Sequence, residues 1–172
     1  PGSTVEFRTL FKKIYSKKKI NYFRIPENSH NQNFKEDQVV FGKSILVKEG
    51  KDLTIAVTGS QLENAVAVAS KLKLEGIDIE ILYYHTLKPF DNIALRQSVI
   101  KTKKLITLEE LSAHDGLHNL CLKYIFDIND IQVTQMAVKD FIHGYGTYSD
   151  LCDRAGLNID QVTKNCKKLL DI

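Results

Sequence analysis

Carboxylates and histidines gather in one short stretch, which begins with Glu109 and Glu110 and reaches His114 and His118. Adjacent carboxylates on a strand point to opposite faces, so at most one of these glutamates faces a given cleft. We therefore expect one to cap a helix or pair with a lysine, and the other to be exposed. The histidines have the i, i+4 spacing of metal ligands on a helix, but Gly116 lies between them and no third ligand is near. The pattern favours neither a metal site nor a catalytic pair.

Two glycine-containing turns are further candidates for binding. The turn TGSQ precedes a helix whose N-terminus could hold an anion. Ser60 and Glu63 have the S-x-x-E spacing of a capping box, which would already satisfy those amides, so a plain capped helix is favoured. His143 and Tyr145 lie in the sequence HGYG. Their flanking glycines favour a tight turn with positive φ over a binding site.

Arg24 is the remaining candidate, in the apolar segment NYFRI at residues 21–25. This segment predicts a short strand that ends before Pro26. A half-buried arginine usually has an anionic partner, because its guanidinium is always charged. The residues alone leave open whether that partner is a carboxylate or a substrate phosphate.

Strands and helices alternate around these candidates, chiefly in residues 51–110. Gly59 and Gly76 bound a helix with an apolar stripe at i, i+3, i+4 spacing. Proline and aspartate at Pro89 and Asp91 open a second helix. Alternation of this kind indicates a parallel sheet with right-handed crossovers. Strands are predicted at residues 44–48, 53–57, 77–81, 105–108 and 131–138, and later helices at residues 117–126, 147–156 and 158–170.

The composition excludes several classes of protein. The chain has 172 residues, 43% hydrophobic and 26% charged, and a net charge of +3 that is too small to indicate a nucleic-acid partner. Lysines at residues 12–19 fit a solvated helix end. No apolar run approaches the ~20 residues that cross a membrane, and no signal peptide is visible. Three cysteines without C-x-x-C spacing indicate reduced thiols, so we expect a cytoplasmic protein with no membrane contact.

The first 26 residues do not fit the later pattern. A helix at residues 4–18 and the strand at residues 21–25 cannot bury each other, so we expect residues 1–26 to be the tail of a preceding domain. Residues 27–43 are polar and aperiodic at first, and we expect a linker there. Residues 44–172 would form the main domain.

A series of short motifs in constant order resembles the C-terminal domain of the transketolase family. That family includes transketolases, deoxyxylulose-phosphate synthases and the β subunits of 2-oxo-acid dehydrogenases. The resemblance covers residues 39–172 and implies a three-layer α/β/α fold, with about five strands, mostly parallel, and one antiparallel strand. The motifs are GK at residues 42–43, EGKDLT at 49–54, Gly59, LKLEGI at 72–77, KPFD at 88–91, LEE at 108–110 and the stretch from residue 140 to 162.

The resemblance also implies where the chemistry lies. Family members hold thiamine diphosphate and Mg²⁺ through a G-D-G motif in another domain, and His114-Asp115-Gly116 does not match it. We expect no cofactor-binding, metal-binding or catalytic residue in this chain. Residues 1–26 resemble the end of the pyrimidine-binding domain. Arg24 occupies the position of an arginine near the substrate phosphate, so it is the one predicted substrate-phosphate-binding residue.

The function implied is the C-terminal section of a transketolase-like enzyme that transfers a two-carbon ketol unit between sugar phosphates. This section would be structural and dimerising, inactive alone, and would work with the remaining domains as a homodimer. Three alternatives stay open. They are a stand-alone assembly module, part of a deoxyxylulose-phosphate synthase or 2-oxo-acid dehydrogenase β subunit, and a small-anion or nucleotide regulatory site at the carboxyl edge of the sheet.

Overall fold

A five-stranded sheet forms the centre of the protein, and the computed structural model describes residues 1–172. The strands are β1 (Ile45–Lys48), β2 (Leu53–Val57), β3 (Ile79–Tyr83), β4 (Lys104–Ser112) and β5 (Gln132–Val138). They lie in the order β1-β3-β2-β4-β5. β1 runs antiparallel to β3, whereas the other neighbours are parallel, so the predicted single antiparallel strand is confirmed.

Helices cover both faces of this sheet. The six α-helices of the chain are α1 (Thr4–Ile14), α2 (Leu62–Lys73), α3 (Asn92–Thr102), α4 (Leu117–Ile125), α5 (Tyr148–Ala155) and α6 (Ile159–Leu170). α2 and α6 pack together on one face, and α3 and α4 on the other, which confirms the three-layer α/β/α class. None of the helices has both the length and the apolar character that a membrane crossing requires.

Side-chain alternation along the strands creates two separate cores. Ile55 and Ile81 face α2 and α6, whereas Ala56 and Leu82 face α3 and α4. β2 and β3 are buried along their whole length because helices cover both of their faces. The sheet therefore presents only its edges and strand ends to other molecules.

Most predicted helix boundaries are confirmed. Thr147 and Asp150 form a reciprocal capping box at α5. Asn158 accepts a hydrogen bond from the Gln161 amide at 2.8 Å, and so caps α6. Gly156 ends α5 in the left-handed conformation. These short polar signals worked because each cap is local and needs no tertiary contact.

The capping box predicted at Ser60 and Glu63 is wrong. One 3-10 turn at Gly59–Gln61 precedes α2, which begins at Leu62 without a side-chain cap. The Ser60 hydroxyl donates instead to the Asn28 carbonyl, and Glu63 accepts the Asn31 amide at 2.5 Å. Both side chains form hydrogen bonds to the loop that packs over this turn, and the local sequence does not predict that packing.

The N-terminal segment also differs from its prediction. α1 ends at Ile14, four residues before its predicted end, and residues 15–19 form turns and bends. Residues 21–25 form no strand, since no neighbouring strand lies beside them to share hydrogen bonds. Residues 27–43 contain no helix or strand, and the rings of His30 and Phe34 pack against Tyr83 of β3.

Candidate functional site

The carboxyl ends of β2 and β4 form the candidate site. These strands are neighbours, but the helix after β2 packs on one face and the helix after β4 packs on the other. Such a switch of direction opens a crevice between the two strand ends, and open α/β sheets bind ligands there. Val57 pairs with Leu108, so the crevice lies directly beyond these two residues.

Glu110 fills this crevice. Its Oε1 accepts a hydrogen bond from Arg24 Nη1 at 3.0 Å, and its Oε2 accepts one from the Tyr148 hydroxyl at 2.8 Å. A Cβ added to Gly59 would lie 3.3 Å from Oε1, so the turn after β2 approaches the carboxylate closely. The chain's own side chains therefore occupy the place where a ligand would sit between the two strands.

The hydrogen-bonded chain continues into α5. Gln61 Nε2 donates to the Tyr148 oxygen at 3.0 Å and also contacts Cys152 Sγ at 3.3 Å. Burial, and next the Glu110 charge, raise the pKa of Tyr148 well above its usual value. Tyr148 is thus a neutral donor that fixes the Glu110 carboxylate in one position.

Arg24 is the outermost member of this group. Its side chain is 41% exposed, whereas the Glu110 side chain is only 10% exposed. Only Nη1 is bonded to Glu110, so the other guanidinium N–H groups remain open for a second anion. The structure thus answers the question that the sequence left open for the first partner of Arg24, which is a carboxylate. The expectation that the second glutamate is exposed is wrong, since the Glu110 side chain is only 10% exposed.

Glu109 has the capping role expected for one of the two glutamates. Its carboxylate is fully buried and accepts the backbone amides of Leu117 at 2.7 Å and His118 at 3.1 Å. Burial raises the pKa of Glu109, although these two amides oppose that change. A carboxylate that is used to begin α4 points away from the crevice where Glu110 lies, as alternation along a strand requires.

The histidines do not assemble into a site. His118 Nδ1 lies 3.0 Å from the Thr107 hydroxyl, and the His114 carbonyl accepts a hydrogen bond from Asn119. No three histidine, cysteine or carboxylate side chains gather in a way that could hold a metal ion. Gly144 has φ +133, which agrees with a tight turn at HGYG.

A buried polar cluster behind the crevice was not predicted. The Glu6 carboxylate accepts hydrogen bonds from the Gly2 amide at 2.7 Å and the Tyr83 hydroxyl at 2.7 Å, and lies 2.6 Å from His30 Nε2. This cluster joins α1 and the loop after it to the end of β3. One signal was present in the sequence, because Glu6 lies on the same helical stripe as the buried Leu10 and Ile14. No sequence pattern predicted that Tyr148 or Gln61 would lie at the candidate site.

His85 is also buried at the carboxyl edge, directly beyond β3. Its Nδ1 lies 3.0 Å from the Thr86 hydroxyl, while its Nε2 has no hydrogen-bond partner. Burial lowers the pKa of His85 to about 4. We expect NMR titration to show a neutral His85 imidazole at pH 6, with protonation only near pH 4. Protonation of His85 above pH 6 would contradict the buried environment described here.

The carboxyl edge near Ser60 does not favour a small-anion or nucleotide site. The loop at residues 28–32 covers the first turn of α2, where Ser60 and Glu63 bind it. Glu63 and Glu110 place negative charge beside the amides that would otherwise attract an anion. Arg24 is therefore the group at this edge that is best placed to receive one.

Comparison with known proteins supplies a family for this geometry. The family described as "Transketolase, C-terminal domain" matches residues 42–162. Among curated proteins, the chain is 27% identical over 165 residues to the 6-deoxy-6-sulfo-D-fructose transketolase subunit SqwH of Clostridium sp. (strain MSTE9), covering 95% of this chain and 51% of the relative. It is 27% identical over 181 residues to the mitochondrial pyruvate dehydrogenase E1 component subunit beta of Dictyostelium discoideum, covering 98% of this chain and 50% of the relative.

A solved structure is similar over nearly the whole chain. It is described as "Split gene transketolase, inactive beta4 tetramer", and superposes with a TM-score of 0.91 at 28% identity. The match covers 99% of this chain and 56% of that chain. The chain thus spans about half the length of these relatives.

Proposed function

Since this chain belongs to the transketolase C-terminal domain family, we propose that it is the C-terminal section of an enzyme that transfers a two-carbon ketol unit between sugar phosphates. The observation that carries the proposal is Arg24. Its guanidinium stands exposed at the carboxyl edge, anchored on one side by Glu110, with donors free for a substrate phosphate.

The proposed partners are the remaining domains of the parent enzyme, in the same chain or in a separate subunit. Several relatives are named as subunits, and the solved relative is described as inactive in an assembly of one subunit type. These names support the proposal that this section of the enzyme does not catalyse the reaction alone. The homodimer expected from the resemblance is part of the same proposal.

Residues 1–26 are proposed to complete a preceding pyrimidine-binding domain. The rings of Phe7, Phe11, Tyr15 and Phe23 contact one another beside α1, and Phe11 and Tyr15 are exposed. An exposed aromatic face of this kind fits a surface that another domain covers. Three free, buried cysteines support the cytoplasmic location that belongs to this proposal.

The carboxyl edge of this sheet does not fit thiamine diphosphate. A diphosphate with its metal needs a set of oxygen ligands and a positive cradle, whereas no metal-ligand cluster forms here and Glu110 occupies the crevice. In the parent enzyme the cofactor would supply the carbanion chemistry, and this chain would contribute Arg24 to substrate binding.

Reconstitution with the rest of the parent enzyme tests the proposal. The assembled enzyme is expected to transfer a ketol unit from a ketose phosphate to an aldose phosphate, whereas this chain alone shows no turnover. Arg24→Gln in the assembled enzyme is expected to raise KM for the phosphorylated substrate about tenfold with kcat retained, because a charged hydrogen bond is lost.

Arg8→Gln is the matched control, since Arg8 is exposed and pairs only with Glu36. Equal kinetics for the two variants would remove Arg24 from the substrate site. Decarboxylation of a 2-oxo acid without ketol transfer would instead favour the alternative that the Dictyostelium relative suggests, a 2-oxo-acid dehydrogenase β subunit.

A further inference from the structure

Arg24 reaches the carboxyl edge with its charge already compensated. The Glu110 carboxylate lies 3.0 Å from Nη1, and no other ion pair to Arg24 forms within residues 1–172. A surface arginine that binds a substrate anion needs no carboxylate beside it, because the carboxylate would repel the anion. The pairing therefore calls for a reason of its own.

Glu110 cannot move away when an anion arrives. Its side chain is only 10% exposed, and Tyr148 donates to the oxygen that Arg24 does not use. Gln61 in turn donates to Tyr148 at 3.0 Å, so the tyrosine is itself held between the 3-10 turn at Gly59–Gln61 and α5. An anion on the open side of the Arg24 guanidinium must share that cation with a fixed negative charge.

We propose that Glu110 is a specificity-determining residue, which weakens the preference of the Arg24 site for doubly charged over singly charged end groups of a substrate. This inference rests on the proposed role of Arg24 in substrate binding. Coulomb repulsion from Glu110 acts once on a monoanion, such as a sulfonate, and twice on a phosphate dianion at the same distance. Tyr148 is the positioning residue that keeps the carboxylate in place.

Two small probes of different charge test the inference on the full chain. Methyl phosphate and methanesulfonate are titrated at pH 8 while NMR follows the backbone amide signals of residue 24 and Gly59, which every variant retains. Glu110→Gln is expected to raise the affinity for methyl phosphate about tenfold and that for methanesulfonate about threefold, because the doubled charge doubles the repulsion energy. Glu36→Gln is the matched control, since it removes one negative charge from an exposed pair with Arg8.

Tyr148→Phe provides a second variant that keeps the charge of Glu110. The freed carboxylate can turn toward water, so the affinity for methyl phosphate is expected to rise by a smaller factor. The inference would be overturned if the ratio of the methyl phosphate affinity to the methanesulfonate affinity were the same in Glu110→Gln and in Tyr148→Phe as in the unchanged chain.

Arg24→Gln separates this inference from the proposed function. Loss of both probe affinities in Arg24→Gln, with an unchanged ratio in Glu110→Gln, would leave Arg24 as the anion site and reject only the role of Glu110. Probe binding that survives Arg24→Gln would instead reject Arg24 as the anion-binding residue, and with it both proposals.

Discussion

Replacing Glu6 with alanine is expected to lower the free energy of unfolding by about 3 to 4 kcal/mol. The Glu6 carboxylate is fully buried and contacts Gly2, His30 and Tyr83 at 2.6 to 2.7 Å. Its removal leaves these buried donors without an acceptor. A buried donor without an acceptor destabilises the folded state far more than the loss of a surface contact does. The loss is expected to be largest in α1 and the loop that follows it.

Urea unfolding measures the global effect, and hydrogen exchange locates it. The amides of α1 and of residues 28–34 are expected to lose protection before those of β2 and β3. Glu36→Ala is the control, since Glu36 forms an exposed ion pair. A Glu6→Ala chain as stable as the Glu36→Ala chain would show that this cluster contributes little to docking the N-terminal segment.

The pH dependence of stability provides a second test of the contribution of Glu6 to folding. Burial alone would raise the pKa of Glu6, but hydrogen bonds from His30, Gly2 and Tyr83 and the His30 charge outweigh it and lower the pKa below 4.5. A lowered carboxyl pKa stabilises the folded state at higher pH, and this contribution disappears as the pH falls through the folded pKa. The acid-induced loss of stability below pH 4.5 should therefore be shallower in Glu6→Ala than in the unchanged chain.

The fold could be predicted because its signals are local. Apolar runs, glycine stops and polar caps specify five strands and the helices between them. The misplaced bounds include the start of α2, the end of α1 and β3, which was predicted at residues 77–81. The failure at Ser60 and the missing strand at residues 21–25 share a cause. In both places the outcome depends on a neighbour distant in sequence, either the loop at Asn28 or the absence of a partner strand.

The candidate site could be predicted only in part, for the same reason. Arg24 and Glu110 were each singled out, but they are 86 residues apart and their pairing was not foreseen. Alternation along β4 predicted that Glu109 and Glu110 point to opposite faces and that one of them would cap a helix, but not which one. Tyr148 lies at the site because a capping box at Thr147 fixes the start of α5 beside the sheet edge. A local pattern can place a helix, but the hydroxyl that it delivers to a distant carboxylate has no local signature.

The EGKD motif shows how a family pattern acquires a physical reason once the structure is known. Gly50 has no positive φ, so its backbone conformation does not require glycine. A Cβ at this position, however, would lie 2.7 Å or less from backbone atoms of β3 and the residue before it. The turn lies directly on this backbone, where the amides of Lys51 and Asp52 donate to the Asp78 carbonyl at 3.1 and 3.0 Å.

Gly50→Ala is therefore expected to destabilise the protein by about 3 kcal/mol, since backbone cannot yield as a flexible side chain can. Urea unfolding measures the loss, and hydrogen exchange should show weaker protection of the Asp78 amide, which donates to the Asp52 carboxylate at 2.7 Å. Lys51→Ala is the neighbouring control, because Lys51 is exposed.

Gly76→Ala separates the steric cause from a conformational one. Gly76 has φ +82 and nothing within 4 Å of an added Cβ, so only the left-handed backbone opposes the substitution there. The cost at Gly76 is expected to be about 1 kcal/mol. Equal losses in Gly50→Ala and Gly76→Ala would mean that the turn moves off β3 without difficulty, and that close approach of two backbones is not why glycine occupies position 50.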